Sequence, residues 1–155
     1  MARGTDNQDL GRRRWIEIEV TARAAGGVAD EDYDVLEAGF SERADGSGLA
    51  VMFQRELSAE PWEGDPETDD YFSNSYCVTL GSGETVYGEL EQVSFSGTRG
   101  TFHFADHAAG ILRTGRQLVV DFEVPEGDLR VFQEVLQKVV TWGVPSQVPH
   151  LNGFS

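Results

Sequence analysis

Apolar and polar residues alternate along most of the chain, in short runs separated by Gly, Asp and Ser. The clearest run is 15–22, where Ile16, Ile18 and Val20 share one side and the intervening Glu17 and Glu19 share the other. A period of two predicts half-buried β-strands. By the same criterion, further strands are predicted at 33–40, 48–57, 76–80, 85–87, 90–95, 101–105 and 117–124.

One long segment instead shows the helical period. Between about 125 and 142 an apolar stripe faces a polar one, which is typical of an amphipathic helix packed on a core. The stripe consists of Leu129, Phe132, Leu136, Val139 and Val140. A shorter helix is predicted to begin with Asp106 as its cap and to run to about Leu112.

A single amphipathic helix needs a sheet to cover it, so the patterns predict an α+β fold. We expect a mostly antiparallel, strongly bent sheet of about seven or eight strands. The short helix joins the strands, and the C-terminal helix packs on one face. The predicted organisation is one domain at 13–143, between a flexible N-terminus at 1–12 and a flexible C-terminal tail at 144–155.

Charge changes this picture most. The chain has 27 acidic and 12 basic residues and a formal net charge of −15. This disfavours binding to nucleic acid or to an anionic membrane, since both are polyanions. No Lys or Arg occurs in the 56–98 interval, which contains ten acidic residues. Such a run either solvates an ordinary surface or forms a face for a basic partner.

The remaining bulk features favour a soluble cytoplasmic protein. With one cysteine, no disulfide can form within the chain. The N-terminal arginines are not followed by an apolar run of signal-peptide length, because Glu17 and Glu19 interrupt it. No segment is long and apolar enough to predict a membrane span.

The stretch "SYCVTLGSGETVYGELEQVSF", 75–95, raises the question of a reactive site. A dinucleotide fingerprint needs a helix after its glycines, but here a second strand follows Gly81 and Gly83, so the glycines indicate a hairpin turn. Cys77 lies within a predicted strand, where a free cysteine behaves as a small hydrophobe. We interpret the stretch as framework.

"HFADH", 103–107, has the i, i+4 histidine spacing of some metal sites. That spacing brings two imidazoles together only on a helix, whereas His103 belongs to a strand pattern and Asp106 to a helix cap. We therefore expect ordinary surface histidines. The sequence predicts no catalytic residue, metal or cofactor.

Three segments together resemble one family. They are "VMFQREL" at 51–57, the 75–95 stretch, and "DHAAGILRTGRQLVVDFEVPEGDLRVFQEVLQKVV" from Asp106 onward. In order and spacing they are similar to the immunity protein 10 family of bacterial polymorphic-toxin systems. The matching features are Phe53-Gln54-Arg55, Tyr76-Cys77, Tyr87-Gly88, the Ala-rich short helix and the final strand and helix. The second glycine that usually follows Tyr-Gly is replaced by Glu89.

The resemblance implies a non-enzymatic cytoplasmic antidote that binds a cognate toxin domain and blocks it. The acidic composition then suggests a basic toxin such as a nuclease, since opposite charge steers association.

We expect the toxin to contact the long loop at 60–72, with Trp62 as an aromatic anchor. Acidic residues would surround that anchor, with Tyr71 nearby: Glu63, Asp65, Glu67, Asp69 and Asp70. Alternatively, Trp62 folds back onto the sheet and the acids only face water. Arg55 is expected to be a structural ion-pair partner.

A different class of function also fits the predicted fold. A bent sheet covered by a helix can hold a small apolar ligand between them. The sequence offers no polar group of residues to orient such a ligand. The high charge argues against a third possibility, a self-assembling structural protein. Neither the toxin nor the oligomeric state is specified by the sequence.

Overall fold

The computed structural model describes residues 17–65 and 74–154, which contain ten strands and two α-helices. The strands are β1 (Glu17–Ala22), β2 (Ala24–Asp30), β3 (Val35–Ser41), β4 (Ala50–Glu56), β5 (Cys77–Leu80), β6 (Thr85–Tyr87), β7 (Leu90–Ser96), β8 (Arg99–Phe104), β9 (Gln117–Phe122) and β10 (His150–Asn152). The helices are α1 (Asp106–Leu112) and α2 (Glu126–Val140), and one 3-10 turn spans Pro145–Gln147.

The strands form two sheets of five. One has the order β1-β9-β8-β7-β10 and the other β2-β3-β4-β5-β6. Two pairs, β1 with β9 and β10 with β7, are parallel, and the other pairs are antiparallel. The α+β class is confirmed. The single bent sheet of seven or eight strands is wrong, because the chain changes sheet at Arg23, between β1 and β2, and again between β6 and β7.

Strand β2 was not predicted from the sequence. Its residues, "AAGGVAD", are mostly small and show no alternation. The structure nevertheless pairs it with β3 without interruption, from Ala24 opposite Ser41 to Asp30 opposite Val35. The strand predicted at 33–40 begins two residues later, so Tyr33 lies in the turn before β3.

The end of the chain, expected to be a loose tail at 144–155, has contacts as far as the structure describes it. Residues His150–Asn152 pair with β7. The ring of Phe154 lies edge-on to that of Phe95, with centroids 5.2 Å apart. The side chain of Gln147 accepts a hydrogen bond from Glu89 N at 2.8 Å.

Aromatic rings join the two sheets to α2. The ring centroids of Phe40 and Phe53, in the second sheet, lie 5.7 and 5.6 Å from the ring centroid of Phe102 in the first. Phe132 of α2 lies 5.9 Å from Phe40 and 5.3 Å from Phe122. The predicted packing of the C-terminal helix on a sheet is confirmed, and α2 covers β2, β3 and β4. These rings lie between the helix and the sheets, where the alternative function would place a small ligand.

The turn at Gly81–Glu84 is the predicted hairpin, joining β5 to β6. Leu80 N donates to Glu84 O and Gly83 N donates to Leu80 O, both at 2.9 Å. Gly83 has a φ of +109°, which a residue with a Cβ rarely adopts. The glycines therefore serve the turn.

The short helix α1 begins as predicted, but its cap differs. Ala105 occupies the N-cap position and offers no side-chain acceptor. Asp106 is the first helical residue, and its carboxylate pairs with Arg116 at 2.9 Å.

Leu136→Ala tests whether α2 is integral to the core, since Leu136 is fully buried. Removing its side chain should lower the free energy of unfolding by about 2–5 kcal/mol, because a cavity remains. Urea denaturation measures the change. Val131→Ala on the exposed side of the same helix should cost much less, and equal stabilities for the two variants would contradict the packing.

Candidate protein-binding site

The proposed contact loop is only partly described by the structure. Trp62, Glu63 and Asp65 lie in the described segment that ends at residue 65. The other four expected contact residues lie outside the described residues: Glu67, Asp69, Asp70 and Tyr71. The geometry below therefore concerns residues 57–65, here called the Trp62 segment.

Three hydrogen bonds attach the start of the Trp62 segment to the turn between β2 and β3. Ser58 N and Ser58 Oγ donate to the two carboxylate oxygens of Asp34, at 2.8 and 2.7 Å. Leu57 N donates to Asp34 O at 3.0 Å. Beyond α2, Trp142 Nε1 donates to Glu60 O at 2.7 Å. The segment is thus held against the end of the second sheet and the C-terminal end of α2.

Trp62 is half-buried and lines an open groove of about 780 Å³. Pro61, Trp142, Pro145 and Pro149 also line it. The indole nitrogen of Trp62 is buried and has no hydrogen-bond partner among the described residues. The ring therefore lies against the protein with its nitrogen inward, while Glu63 and Asp65 beside it are exposed.

Arg55 lines the same groove. Its role is structural, as expected, but its guanidinium donates hydrogen bonds to backbone carbonyl groups. Its Nε donates to Lys138 O at 3.1 Å and its Nη1 donates to Glu56 O at 2.7 Å. Lys138 lies in the last turn of α2, where carbonyl groups lack helical partners and favour a cation. Burial lowers the pKa of the Arg55 guanidinium. These contacts are made with backbone oxygens, and among the described residues no carboxylate forms the ion pair with Arg55 that the sequence suggested.

A second acidic element was missed by the sequence analysis. The turn "DEDYD" at 30–34 joins β2 to β3 and carries Tyr33, whose exposed fraction is 81%. Asp30 Oδ1 accepts hydrogen bonds from Asp32 N at 3.0 Å and Tyr33 N at 3.1 Å. Asp side chains that accept hydrogen bonds from backbone N–H groups two or three residues later are typical of turns. The run of acids could therefore have indicated a turn where the sequence analysis predicted the beginning of a strand.

The turn and the Trp62 segment together form one surface, because Asp34 binds Ser58. We call it the acidic face. Its carboxylates are those of Asp30, Glu31, Asp32, Asp34, Glu56, Glu60, Glu63 and Asp65. The nearby guanidinium of Arg55 already donates to carbonyl groups. The acidic face therefore offers strong negative potential to a partner.

The residues considered for chemistry lie apart from this face. Cys77 is half-buried with Sγ 3.5 Å from Gln54 Oε1, and burial raises the pKa of its thiol. His103 lies in β8, whereas His107 lies in α1 and contacts the Glu89 carboxylate at 2.8 Å. Within residues 17–65 and 74–154, no three His, Cys, Asp or Glu side chains are placed to hold a metal ion.

Comparison with known proteins assigns this fold to a family. A family model described as immunity protein 10 matches residues 21–130, from the end of β1 to the start of α2. The chain belongs to the immunity protein 10 family. Comparisons with curated proteins and with solved structures give no match. Neither helix among the described residues is long and apolar enough to cross a membrane.

In this immunity protein, the Tyr76 and Gly88 positions form a buried framework. Tyr76 is fully buried, donates from its hydroxyl to Gln147 O at 2.8 Å and accepts from Leu90 N at 3.3 Å. Gly88 has a φ of +69°, and a Cβ there would lie 2.6 Å from Gln147 Oε1. The 75–95 stretch of the immunity protein is structural, as its sequence indicated.

Glu89, which follows Tyr87-Gly88, adopts a backbone conformation that is typical of glycine. Its φ is +66°, which is rare for a residue with a side chain. Hydrogen bonds hold it there: Glu89 N donates to Gln147 Oε1 at 2.8 Å, and Ala105 N donates to Glu89 O at 2.9 Å. These contacts hold the turn with Glu89 in this conformation.

Tyr76→Phe should lower the free energy of unfolding by about 1–3 kcal/mol at pH 7, because Gln147 O and Leu90 N lose a buried partner. Urea denaturation measures the loss. Tyr33→Phe at the exposed turn is the matched control and should change stability little.

The free energy of unfolding at high pH gives a second comparison of the wild type with Tyr76→Phe. Burial raises the pKa of Tyr76 well above its usual value. Above pH ~10 an unfolded tyrosine ionises while folded Tyr76 keeps its proton, so the wild type loses stability there. Phe cannot ionise, and the difference between wild type and Tyr76→Phe should narrow as the pH rises. A constant difference would contradict this.

Proposed function

We propose that this immunity protein neutralises a cognate polymorphic-toxin domain by binding it through the acidic face. The family supports a toxin as the partner. The observation that carries the proposed surface is the joining of the acidic turn to the Trp62 segment through Asp34 and Ser58. Inhibition then works by covering the toxin, and the immunity protein performs no chemistry.

The charge of the acidic face favours a basic toxin domain, such as a nuclease. Enzymes that act on nucleic acid bind a polyanion, so their active sites present positive charge. Eight carboxylates on one surface can replace that polyanion and steer the toxin during encounter. The net charge of −15 adds a long-range field of the same sign.

Aromatic side chains supply the apolar part of the proposed contact. Tyr33 projects from the turn, and one side of Trp62 lines the groove. Tyr and Trp are the residues most enriched among those that dominate binding energy, because they bury large areas with few rotatable bonds. The acids would set the rate of association and the aromatic rings the lifetime of the complex.

We also propose that the immunity protein acts in the cytoplasm. Its one cysteine is a half-buried free thiol. A free thiol is suited to a reducing compartment, where disulfides are rare.

The acidic face has three exposed carboxylates that form no hydrogen bond or ion pair among the described residues, those of Glu31, Asp32 and Glu63. The combined variant Glu31→Gln/Asp32→Asn/Glu63→Gln should slow association with the toxin domain, and wild-type association should slow steeply as salt rises. Surface plasmon resonance measures both rates. The immobilised probe is the C-terminal domain of the toxin encoded directly upstream.

A matched control removes the same number of acids elsewhere. Glu84→Gln/Glu91→Gln/Asp106→Asn lies in the β5–β6 turn, on the first sheet and on α1, and the exposed ion pair lost at Asp106 contributes little to stability. It should associate faster than the acidic-face variant. Equal slowing in both variants would mean that only net charge matters and that the acidic face is not the contact.

Trp62→Ala should act on the other rate constant. Loss of an aromatic anchor should raise the dissociation rate by about 30-fold, corresponding to about 2 kcal/mol, with little effect on association. Ile111→Ala removes an exposed apolar side chain from α1 and is the control. If Trp62→Ala dissociates from the toxin domain at the wild-type rate, the Trp62 segment is not part of the interface.

A further inference from the structure

We infer that the free edge of β2 pairs with an exposed β-strand of the toxin domain, so that the second sheet gains a sixth strand from the partner. This inference rests on the proposed function and specifies how the toxin is bound. The partner strand is expected to be apolar, with basic residues at the end that lies beside the turn at 30–34.

The four sheet edges in the described part of the chain are not alike. The edge strands β6 and β10 have three residues each, and β1 carries Glu17 and Glu19. Short length and charge are the usual means of preventing edge pairing. Strand β2 has seven residues, contains no Pro, and is uncharged until Asp30. It is the one edge here that lacks this protection.

The register identifies which main-chain groups point outward. Glu42 N donates to Leu49 O across the β3–β4 pair, so Glu42 faces β4. The side to which the main-chain N–H and C=O groups point alternates from residue to residue along a strand. Those of Gly39 therefore point to β2, where its partner is Gly26. Gly26 and Val28 therefore bond to β3. Ala25, Gly27 and Ala29 direct their N–H and C=O groups to the free edge.

Apolar side chains flank this edge. The described residues include four large hydrophobic side chains that are exposed, and three belong to β2, to its turn or to the helix covering it. Val28 is 50% exposed and Tyr33 81%. Val131 is 42% exposed and lies one helical turn before Val135. The side chain of Val135 packs against the backbone of Gly27. An incoming strand would cover apolar surface as well as form hydrogen bonds.

The two glycines of β2 have different explanations. A Cβ at Gly27 would lie 2.5 Å from Val135 Cγ2, so the packing of α2 requires glycine there. A Cβ at Gly26 would meet no atom of the described residues within 4 Å, and packing among those residues does not explain that glycine. A glycine within a strand often marks a close approach by another backbone or a ligand.

Charge selects the toxin over a second copy of this chain. Four acids lie at one end of the edge, in the turn at 30–34, and Arg23 at the other end already pairs with Glu123. An antiparallel pair of two β2 strands would place each acidic turn beside Arg23 of the other copy, a cation that already pairs with Glu123. A parallel pair would bring the two acidic turns together. Each copy also carries a charge of −15, so self-pairing is repelled.

Amide hydrogen exchange, followed by NMR, tests the pairing in the wild-type chain. On addition of the C-terminal domain of the toxin encoded directly upstream, the amides of Ala25, Gly27 and Ala29 should become strongly protected. The amides of Gly26 and Val28, already bonded to β3, are internal controls. Protection of Ala25, Gly27 and Ala29 in the free protein at high concentration would identify a second copy as the partner and overturn the inference.

Ala29→Pro tests the same edge by mutation. It removes one outward N–H at an exposed position where an edge strand tolerates proline, and should weaken toxin binding by about tenfold. Ala29→Ser keeps the N–H and should bind like the wild type, with melting temperatures confirming that both variants fold. If Ala29→Pro does not fold, the exchange experiment alone decides.

The outcomes separate the two proposals. Wild-type binding of the toxin without protection of the three outward amides overturns the pairing and leaves the proposed function intact. Failure of the wild type to bind the toxin domain contradicts the proposed function, and the pairing with it.

Discussion

The contact of Phe132 with both sheets is the interaction on which the rest of the structure depends. Its ring lies within 6.5 Å of rings from β3, β4, β7 and β9. Each five-stranded sheet has one apolar face, and neither can be stable with that face in water. The long helix covers β2, β3 and β4 of the second sheet and reaches the first sheet through Phe132. Phe40 and Phe53 pack directly against Phe102 of the first sheet, so the two sheets and one long helix enclose a single core.

The position of α2 then determines the geometry of the acidic face. Its close approach to β2 places its C-terminal end beside the end of the second sheet. There Arg55 binds the last turn of the helix, and Trp142 attaches the Trp62 segment. The cation satisfies carbonyl groups that the helix end leaves without partners. The carboxylates of the turn and the segment lie together at this end of the second sheet. The same packing that stabilises the fold gives this surface its charge.

The sequence predicted those features that a local pattern can encode. Alternation located most strands, and the stripe containing Leu129, Phe132 and Leu136 located α2. Strand β2 was missed because Gly27 is set by Val135, a residue far along the chain, and not by its neighbours. The number of sheets was wrong because nothing local distinguishes a bend at Arg23 from a change of sheet.

The candidate site was predictable to a smaller extent, for the same physical reason. The sequence singled out Trp62, but its inward-facing nitrogen depends on the surfaces that surround it. Tyr33 was assigned to a strand, and only the hydrogen bonds of Asp30 place it at the exposed end of a turn.

Glu89 shows how tertiary contacts can replace a local rule. An isolated residue with a side chain avoids a φ of +66°, and the cost of that conformation is about 1–2 kcal/mol. Here the backbone on both sides of it is fixed, by Gln147 from the C-terminal segment and by Ala105 at the start of α1. Its carboxylate, only 12% exposed, is paired with His107. The C-terminal segment therefore does more than cover the core, since it holds the Tyr-Gly turn in a conformation that its own sequence disfavours.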